Sequence, residues 1–166
     1  MKFIKPDWSE IASLCEQLAE KVRSYKPDIL VGISRGGLVP VRLISDVLGN
    51  MEVAIVRIEF YKDIGKTSDF PQITQPLTKD IKGKKVLIVD DVADTGRSLK
   101  VARDYILKQG AGEVKIATLH YKPISMFKPD YFIGTTDAWI IYPWEVHEVE
   151  RQRKKLEQKE EEKKKR

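Results

Sequence analysis

The chain has 166 residues, of which 42% are hydrophobic, and its 30 lysines and arginines against 25 aspartates and glutamates give a formal net charge of +5. This length suits one domain with a substantial core. The single cysteine, Cys15, excludes a disulfide scaffold and a cysteine-rich zinc site, and it fits a reducing compartment. No stretch of about 18 apolar residues and no amino-terminal signal-peptide pattern occurs. We therefore expect a cytoplasmic protein that does not contact a membrane.

The excess positive charge is concentrated at the carboxyl terminus. Residues 148–166 hold nine basic and six acidic residues, whereas residues 1–147 hold 21 basic and 19 acidic ones. The aliphatic residues of this tail are Val149 and Leu156 alone, so the tail cannot bury enough apolar surface to offset the entropy of ordering. The composition predicts a solvated helix or a frayed terminus in preference to an arm that binds nucleic acid.

In chain order, helical and strand patterns alternate. A capping pair, Asp7 and Glu10, opens a helix that is predicted to run to Ser24. Further predicted helices are 38–48, ended by Gly49, and 98–109, ended by Gly110. The predicted strands are 28–33, 52–60, 85–89, 113–119, 131–133 and 139–141. Segment 61–76 has no helical period and is expected to be irregular. This order predicts an α/β fold with a mostly parallel central sheet flanked by helices.

Segment 86–99, VLIVDDVADTGRSL, carries the most informative motif. Its apolar run predicts a strand buried on both faces that ends in Asp90 and Asp91, and ligands of open α/β sheets bind beyond the carboxyl ends of strands. Residues 94–98 then lead into a helix, whose first N–H groups and positive dipole end suit a phosphate. Carboxylates that accept from a diol, beside a phosphate cradle, describe a site for a ribose 5-phosphate. The chain has neither a Walker loop nor a G-x-G-x-x-G motif.

This segment resembles the phosphoribosyl-pyrophosphate (PRPP) motif of type I phosphoribosyltransferases, which has four apolar residues, two acids, two spacers and D-T-G-x-[ST]. The resemblance implies the type I phosphoribosyltransferase fold, with a small hood above its sheet. It implies that Asp90 and Asp91 hold the ribose hydroxyls, directly or through Mg²⁺. It also implies that Asp94 is the catalytic base or hydrogen-bond acceptor at the purine imidazole nitrogen. The implied 5-phosphate contacts are Ala93, Asp94, Thr95, Gly96, Arg97 and Ser98.

A second motif follows the first buried strand. Two glycines, Gly36 and Gly37, suit unusual backbone angles, and the guanidinium of Arg35 suits paired phosphate oxygens. By resemblance, this turn is the pyrophosphate loop of the family, formed by Ser34, Arg35, Gly36 and Gly37. The run 34–40, SRGGLVP, is especially similar to the xanthine-guanine branch.

Segment 61–76 lies where the family has a catalytic lid, which keeps water from an oxocarbenium-like centre. Better-known members begin this lid with a Ser-Tyr pair, whereas this chain has Phe60 and Tyr61. The resemblance makes Tyr61, Lys62 and Lys66 candidate contacts to pyrophosphate.

The last third of the chain bears on the acceptor base. Lys122 follows strand 113–119, and by resemblance to 6-oxopurine members it donates to the exocyclic O6, which adenine lacks. Residues 137–145, DAWIIYPWE, resemble the hood segment of the xanthine-guanine branch, which has the pattern W-I-x-x-P-W-[DE]. This resemblance implies that Trp139 stacks on the purine and that the backbone of Ile140 accepts from the base edge.

Together these motifs imply a Mg²⁺-dependent purine phosphoribosyltransferase of purine salvage, which transfers 5-phosphoribosyl from PRPP to N9 of guanine, xanthine or hypoxanthine. Two alternatives stay open: a PRPP-binding regulatory protein of the same fold, and a transferase with another acceptor such as adenine. The predicted domain is 1–147, with a hood from about 123 to 147 together with the amino-terminal segment, and 148–166 is a charged tail. The expected partners are PRPP, a purine base and further copies of the chain, in a dimer or tetramer, and not nucleic acid.

Overall fold

The protein is represented by a computed structural model that describes residues 2–61 and 70–164, with side chains to residue 159. Backbone contacts divide the chain into two compact units. The larger unit is Ala12–Asp137, and the smaller unit combines Met1–Ile11 with Ala138–Arg166. The boundaries expected from the sequence, a domain of 1–147 with a hood from about 123 and a tail from 148, stay a prediction.

The helices and strands of the described residues alternate as the sequence predicts. The helices are α1 (Trp8–Val22), α2 (Leu38–Leu48), α3 (Arg97–Lys108) and α4 (Val146–Lys164), and a short 3-10 turn, Arg23–Tyr25, follows α1. The strands are β1 (Phe3–Ile4), β2 (Ile29–Ser34), β3 (Val53–Tyr61), β4 (Phe70–Gln75), β5 (Lys85–Ala93), β6 (Glu113–Tyr121), β7 (Tyr131–Thr135) and β8 (Trp139–Ile140). Each predicted helix and strand is confirmed to within a few residues at its ends, and β1 and β4 are additions to the prediction.

Local chemistry accounts for the helix ends. The N–H of Asp7 donates to Glu10 Oε2 at 2.7 Å, and the N–H of Glu10 donates to Asp7 Oδ1 at 2.8 Å, which confirms the capping pair before α1. Helix α2 ends at Gly49, whose φ of 65° lies in the left-handed region that glycine adopts without steric cost.

The larger unit is built on a six-stranded sheet in the order β4-β3-β2-β5-β6-β7. All neighbouring strands are parallel except β3 and β4, so the predicted mostly parallel sheet is confirmed. One face of the sheet packs on α3 in a hydrophobic core. Its members include Val31, Ile33, Val56, Ile58, Ile88, Leu99, Ala102, Ile106 and Ile116.

The prediction that 61–76 is irregular is wrong for the segment Phe70–Gln75, which forms β4. This strand pairs antiparallel with β3 at the edge of the sheet, and Phe60 lies opposite Pro71. A proline removes one backbone donor, which is tolerated in an edge strand because one side of that strand has no partner strand. Pro71 locally favours a loop, but the hydrogen bonds to β3 make this segment a strand.

The smaller unit contains a two-stranded parallel sheet of β1 and β8 and the helix α4. An aromatic cluster lies beside them: the rings of Tyr142 and Trp144 stack at 4.7 Å, and Trp8 is 5.9 Å from Trp144. The predicted solvated helix in the charged tail is confirmed, because α4 extends to Lys164 and its side chains from Arg151 to Lys159 are exposed. Among the described residues, no helix is both long and apolar enough to cross a membrane.

Candidate functional site

The carboxyl ends of β2 and β5 lie side by side in the larger unit. Strand β2 is parallel to β3 on one side and to β5 on the other. In the sheet, β3 and β4 lie on one side of β2, whereas the later strands β5, β6 and β7 lie on its other side. The strand order therefore reverses between β2 and β5. Ligands of open α/β sheets bind in the crevice at such a reversal. Both phosphate-binding motifs identified in the sequence begin at the ends of these two strands.

The turn after β2 needs glycine for space. A Cβ on Gly36 would overlap the carboxyl group of Asp91, and a Cβ on Gly37 would overlap the carbonyl oxygen of Val89. The expectation that both glycines serve unusual backbone angles is wrong for Gly37, whose φ is −75°. The peptide bond between Ser34 and Arg35 is cis, and the N–H of Gly37 donates to the carbonyl of Ile33 at 2.8 Å. Close packing against β5, rather than positive φ, requires the glycine pair.

The two adjacent carboxylates near the end of β5 have different surroundings. Asp91 is 6% exposed, lies against Gly36, and accepts the N–H of Val92 on Oδ1 at 2.7 Å. Asp90 lines an open cavity beyond the strand, and its Oδ1 accepts the N–H of Asp91 at 3.0 Å. Successive side chains of a strand point to opposite faces, so the extended backbone separates the pair. Asp90 therefore faces the cavity, whereas Asp91 lies against the turn that contains Gly36, and the expected contacts of both carboxylates to ribose and Mg²⁺ stay a prediction.

The cavity beside Asp90 has a volume of about 330 Å³. It is lined by Phe60, Asp90, Val92 and the residues from Asp94 to Leu99. Gly96 is the N-cap of α3 with a φ of 78°, and α3 has no acidic residue in its first turn. The N–H groups and the positive dipole end of α3 thus meet the cavity without a compensating carboxylate from that turn. This arrangement suits a phosphate monoester.

The segment after β6 makes hydrogen bonds to the loop that follows β5 and lines the cavity. The N–H of Lys122 donates to the carbonyl of Ala93, and the N–H of Met126 donates to the carbonyl of Thr95, both at 3.0 Å. A Cβ on Gly96 would lie 2.5 Å from Ser125 Oγ, so this glycine is required by close packing as well as by its φ. These contacts hold the loop from Ala93 to Gly96 against the segment that follows β6.

The structure brings together two residues to which the sequence assigns the base chemistry. Lys122 Nζ lies 3.1 Å from Asp94 Oδ1. The lysine side chain is 12% exposed, whereas the aspartate side chain is 52% exposed. A cationic donor and a carboxylate acceptor are therefore adjacent at the carboxyl ends of β6 and β5, and the carboxylate remains accessible.

Of the remaining predicted residues, some belong to the smaller unit or to β3, and others lie outside the described residues. Trp139 and Ile140 form β8 of the smaller unit, with 48% of Trp139 exposed and 7% of Ile140. Tyr61 is the last residue of β3, and its hydroxyl lies 3.4 Å from Glu59 Oε2. Lys62 and Lys66 lie outside the described residues.

The carboxylates of this site fit a magnesium ion that takes most of its ligands from the substrate and from water. Among the described residues, no group of three or more His, Cys, Asp or Glu side chains could hold a metal. Mg²⁺ in phosphate chemistry is commonly bound by one or two carboxylates together with substrate phosphates and water. Asp90 at the cavity wall suits that arrangement, in which the substrate supplies the other ligands.

Sequence reasoning assigned no role to Phe60, although its ring lines the cavity and lies 5.5 Å from Arg97 Cζ. The period-2 pattern of β3 could have indicated this role, because Phe60 continues the row of Val56 and Ile58, which face the core.

The single cysteine, Cys15, is not a candidate nucleophile. Burial raises the pKa of its thiol to about 12, with a smaller contribution from Glu16, so the thiol stays protonated.

Comparisons with known proteins agree with this arrangement. Residues 7–151 match a family described as the phosphoribosyl transferase domain. A xanthine-guanine phosphoribosyltransferase of Idiomarina loihiensis is 31% identical over 145 residues, which cover 84% of this chain and 85% of the relative. The crystal structure of a purine phosphoribosyltransferase from Pyrococcus horikoshii Ot3 has 41% identity and a TM-score of 0.80, over 87% of this chain and 94% of that chain. Since the family match spans most of the chain and includes both phosphate-binding turns, this chain belongs to the phosphoribosyl transferase domain family.

Proposed function

We propose that this protein is a purine phosphoribosyltransferase of purine salvage. It transfers the 5-phosphoribosyl group of PRPP to N9 of a 6-oxopurine and releases pyrophosphate and a nucleoside monophosphate. The observation that carries this proposal is that two turns, Arg35–Gly37 and Asp94–Ser98, follow the neighbouring parallel strands β2 and β5 at the reversal of strand order. The names of the relatives, which are xanthine-guanine and purine phosphoribosyltransferases, support the same reaction.

The two turns divide the phosphates of PRPP between them. The N-terminal end of α3 and its loop take the 5-phosphate, and Asp90 beside it accepts hydrogen bonds from the ribose hydroxyls. Arg35 and the backbone of Gly36 and Gly37 take the pyrophosphate, whose charge increases as the bond to C1′ breaks. Preorganised donors at the place where charge develops are usually the largest contribution to catalysis.

Mg²⁺ bound by Asp90 and by oxygens of PRPP would neutralise charge on the departing pyrophosphate. Asp91 supports this arrangement from β5, where its carboxyl group lies against Gly36 of the pyrophosphate turn. The metal requirement is part of the proposal, and the experiment below includes it.

The ion pair of Asp94 and Lys122 matches one edge of a 6-oxopurine. O6 and N7 are neighbours on that edge, and here a donor and an acceptor are 3.1 Å apart. Lys122 donates to O6, and Asp94 accepts from an N7–H tautomer. As the N9 lone pair forms the bond to C1′, the imidazole ring gains positive charge, and the N7 proton passes to Asp94. In this proposal Trp139 stacks on the base and the backbone of Ile140 accepts from its edge.

The cellular compartment and the oligomeric state of the enzyme are part of the same proposal. We place it in the cytoplasm, where PRPP and a reduced Cys15 are both expected, and we expect a homodimer or homotetramer. The smaller unit supports assembly because it exposes several large apolar side chains. They include Phe3, Trp8, Val146 and Leu156.

One assay tests the function directly. The protein is incubated with PRPP and magnesium chloride and with guanine, xanthine, hypoxanthine, adenine or uracil, and the nucleotide formed is measured. We expect nucleotide from one or more of the 6-oxopurines, and none when magnesium is removed by chelation. Preference for adenine or uracil would contradict the acceptor assignment. Binding of PRPP without transfer to any base would favour the regulatory alternative, and the protein should then be tested for nucleic-acid binding at several salt concentrations.

A further inference from the structure

The row of β3 side chains that faces α3 ends at the phosphate cavity. Ala54, Val56 and Ile58 belong to the core that includes Leu99 of α3. Phe60 is the next residue of this row and is 45% exposed. At the end of β3, Phe60 lines the cavity beside the first residues of α3 and is not a member of the core.

Arg97 begins α3 and lines the same cavity. Its Cζ lies 5.5 Å from the centroid of the Phe60 ring, within the range of a cation–π contact. The motif D-T-G-x-[ST] leaves this position open, so the motif alone assigns no task to the guanidinium. The sequence departs from better-known members at Phe60, and this residue contacts Arg97 at the open position of the motif.

We propose that Phe60 is a positioning residue for the 5-phosphate, acting through Arg97. The ring limits the orientations of the guanidinium at the cavity wall, so that the guanidinium adds a charged donor to the N–H groups of the α3 N-terminus. An arginine side chain loses rotamer entropy when it binds an anion, and a ring that already restricts it reduces that loss. The role of the cavity as a 5-phosphate site rests on the proposed function.

Binding of ribose 5-phosphate tests this inference without the transfer reaction. Calorimetry measures its Kd for the unaltered protein and for Phe60→Leu, Phe60→Tyr, Arg97→Met and the Phe60→Leu/Arg97→Met double variant. We expect Phe60→Leu to raise the Kd about two- to tenfold and Phe60→Tyr, which keeps an aromatic face, to leave it near the original value. In the Arg97→Met background, Phe60→Leu should have no further effect.

Additive effects of the two substitutions, or an equal weakening by Phe60→Tyr and Phe60→Leu, would overturn the inference. Phe60 is half exposed, so the variants are expected to fold, and thermal unfolding checks this. Arg97→Lys gives a second comparison, because lysine keeps the charge but lacks the planar group that stacks on a ring. It should resemble Arg97→Met in removing the dependence on Phe60, and a full dependence on Phe60 in this background would count against the inference.

Kinetics separate this inference from the proposed function. For Phe60→Leu we expect an increase of about two- to tenfold in KM for PRPP, with kcat and the KM for the base nearly unchanged. If the unaltered protein transfers phosphoribosyl but Phe60 and Arg97 are not coupled, the inference fails and the function stands. If no base accepts phosphoribosyl while ribose 5-phosphate binding depends on both residues as described, the function fails and the inference stands.

Discussion

At the residue scale, Asp94 and Lys122 form one ion pair, and the proposed function gives each of them a separate task. Asp94 belongs to the loop after β5, whereas Lys122 follows β6, and the parallel pairing of these strands brings their ends together. The lysine is largely buried and the carboxylate is half exposed. Because each group contacts a different atom of the proposed base, substitution of one should affect turnover and substitution of the other should affect base affinity.

For Asp94→Asn we expect kcat to fall by about 10²- to 10⁴-fold, since an amide cannot take the imidazole proton. The Kd for PRPP should change little, because the backbone of the loop still holds the 5-phosphate. Steady-state kinetics and calorimetry measure the two quantities. A turnover close to that of the unaltered protein would remove Asp94 from the catalytic role.

For Lys122→Ala we expect a higher KM for guanine and hypoxanthine, with little change in the KM for PRPP. A hydrogen bond to a charged donor contributes about 1.5–3 kcal/mol, which corresponds to an increase of roughly 10- to 150-fold. Lys85→Ala, on the same sheet but outside the site, is the matched control. An unchanged KM for both bases would contradict the O6 assignment.

At the element scale, the start of α3 depends on a glycine for two reasons that can be separated. Gly96 has a φ of 78°, and an added Cβ would meet Ser125 and Phe127. Gly49, after α2, also has a positive φ of 65°, but an added Cβ would meet nothing within 4 Å. The two glycines therefore share the conformational requirement and differ in packing.

Gly49→Ala is expected to lower the free energy of unfolding by about 1–2 kcal/mol, the cost of a left-handed alanine. Gly96→Ala should cost more, because the loop must also move away from the segment that holds it, and ribose 5-phosphate binding should be lost with it. Chemical denaturation and calorimetry measure both effects. Equal losses of stability in the two variants would show that packing at Gly96 contributes nothing.

The elements themselves were largely predictable. The helices α2 and α3 have apolar spacing and a stop signal in sequence, and β2 and β5 have continuous apolar runs typical of strands buried on both faces. The strand β4 was missed because Pro71 and the neighbouring turn-forming residues suggest a loop. Its partner β3 supplies the hydrogen bonds that make it a strand, and no local pattern contains that information.

At the scale of the whole molecule, a buried histidine links stability to pH. Burial lowers the pKa of His120 below its ordinary value of 6.5, so the folded protein favours the neutral ring. As the pH falls through about 6.5, the unfolded chain binds a proton that the folded protein resists. The free energy of unfolding should therefore decrease on acidification, and the contribution of His120 is fully present only above this pH.

Urea denaturation between pH 7.5 and pH 5 measures the effect, and His120→Gln should reduce the dependence on pH. His147→Gln is the control, since the chain has two histidines and the side chain of His147 is 86% exposed. If both variants keep the full pH dependence, other groups cause it and the assignment to His120 is wrong.

By itself, the sequence determined the fold class and the order of helices, strands and glycine turns, because buried strands, glycine turns and helix N-termini are encoded by neighbouring residues. The resemblance of its motifs to a known family supplied the residues expected to contact PRPP and the base. Only the tertiary structure decided that Asp91 supports Gly36 while Asp90 lines the cavity, that Lys122 pairs with Asp94, and that Phe60 meets Arg97. These contacts join residues from different strands, and strand order and register, which position them, depend on packing of the whole sheet.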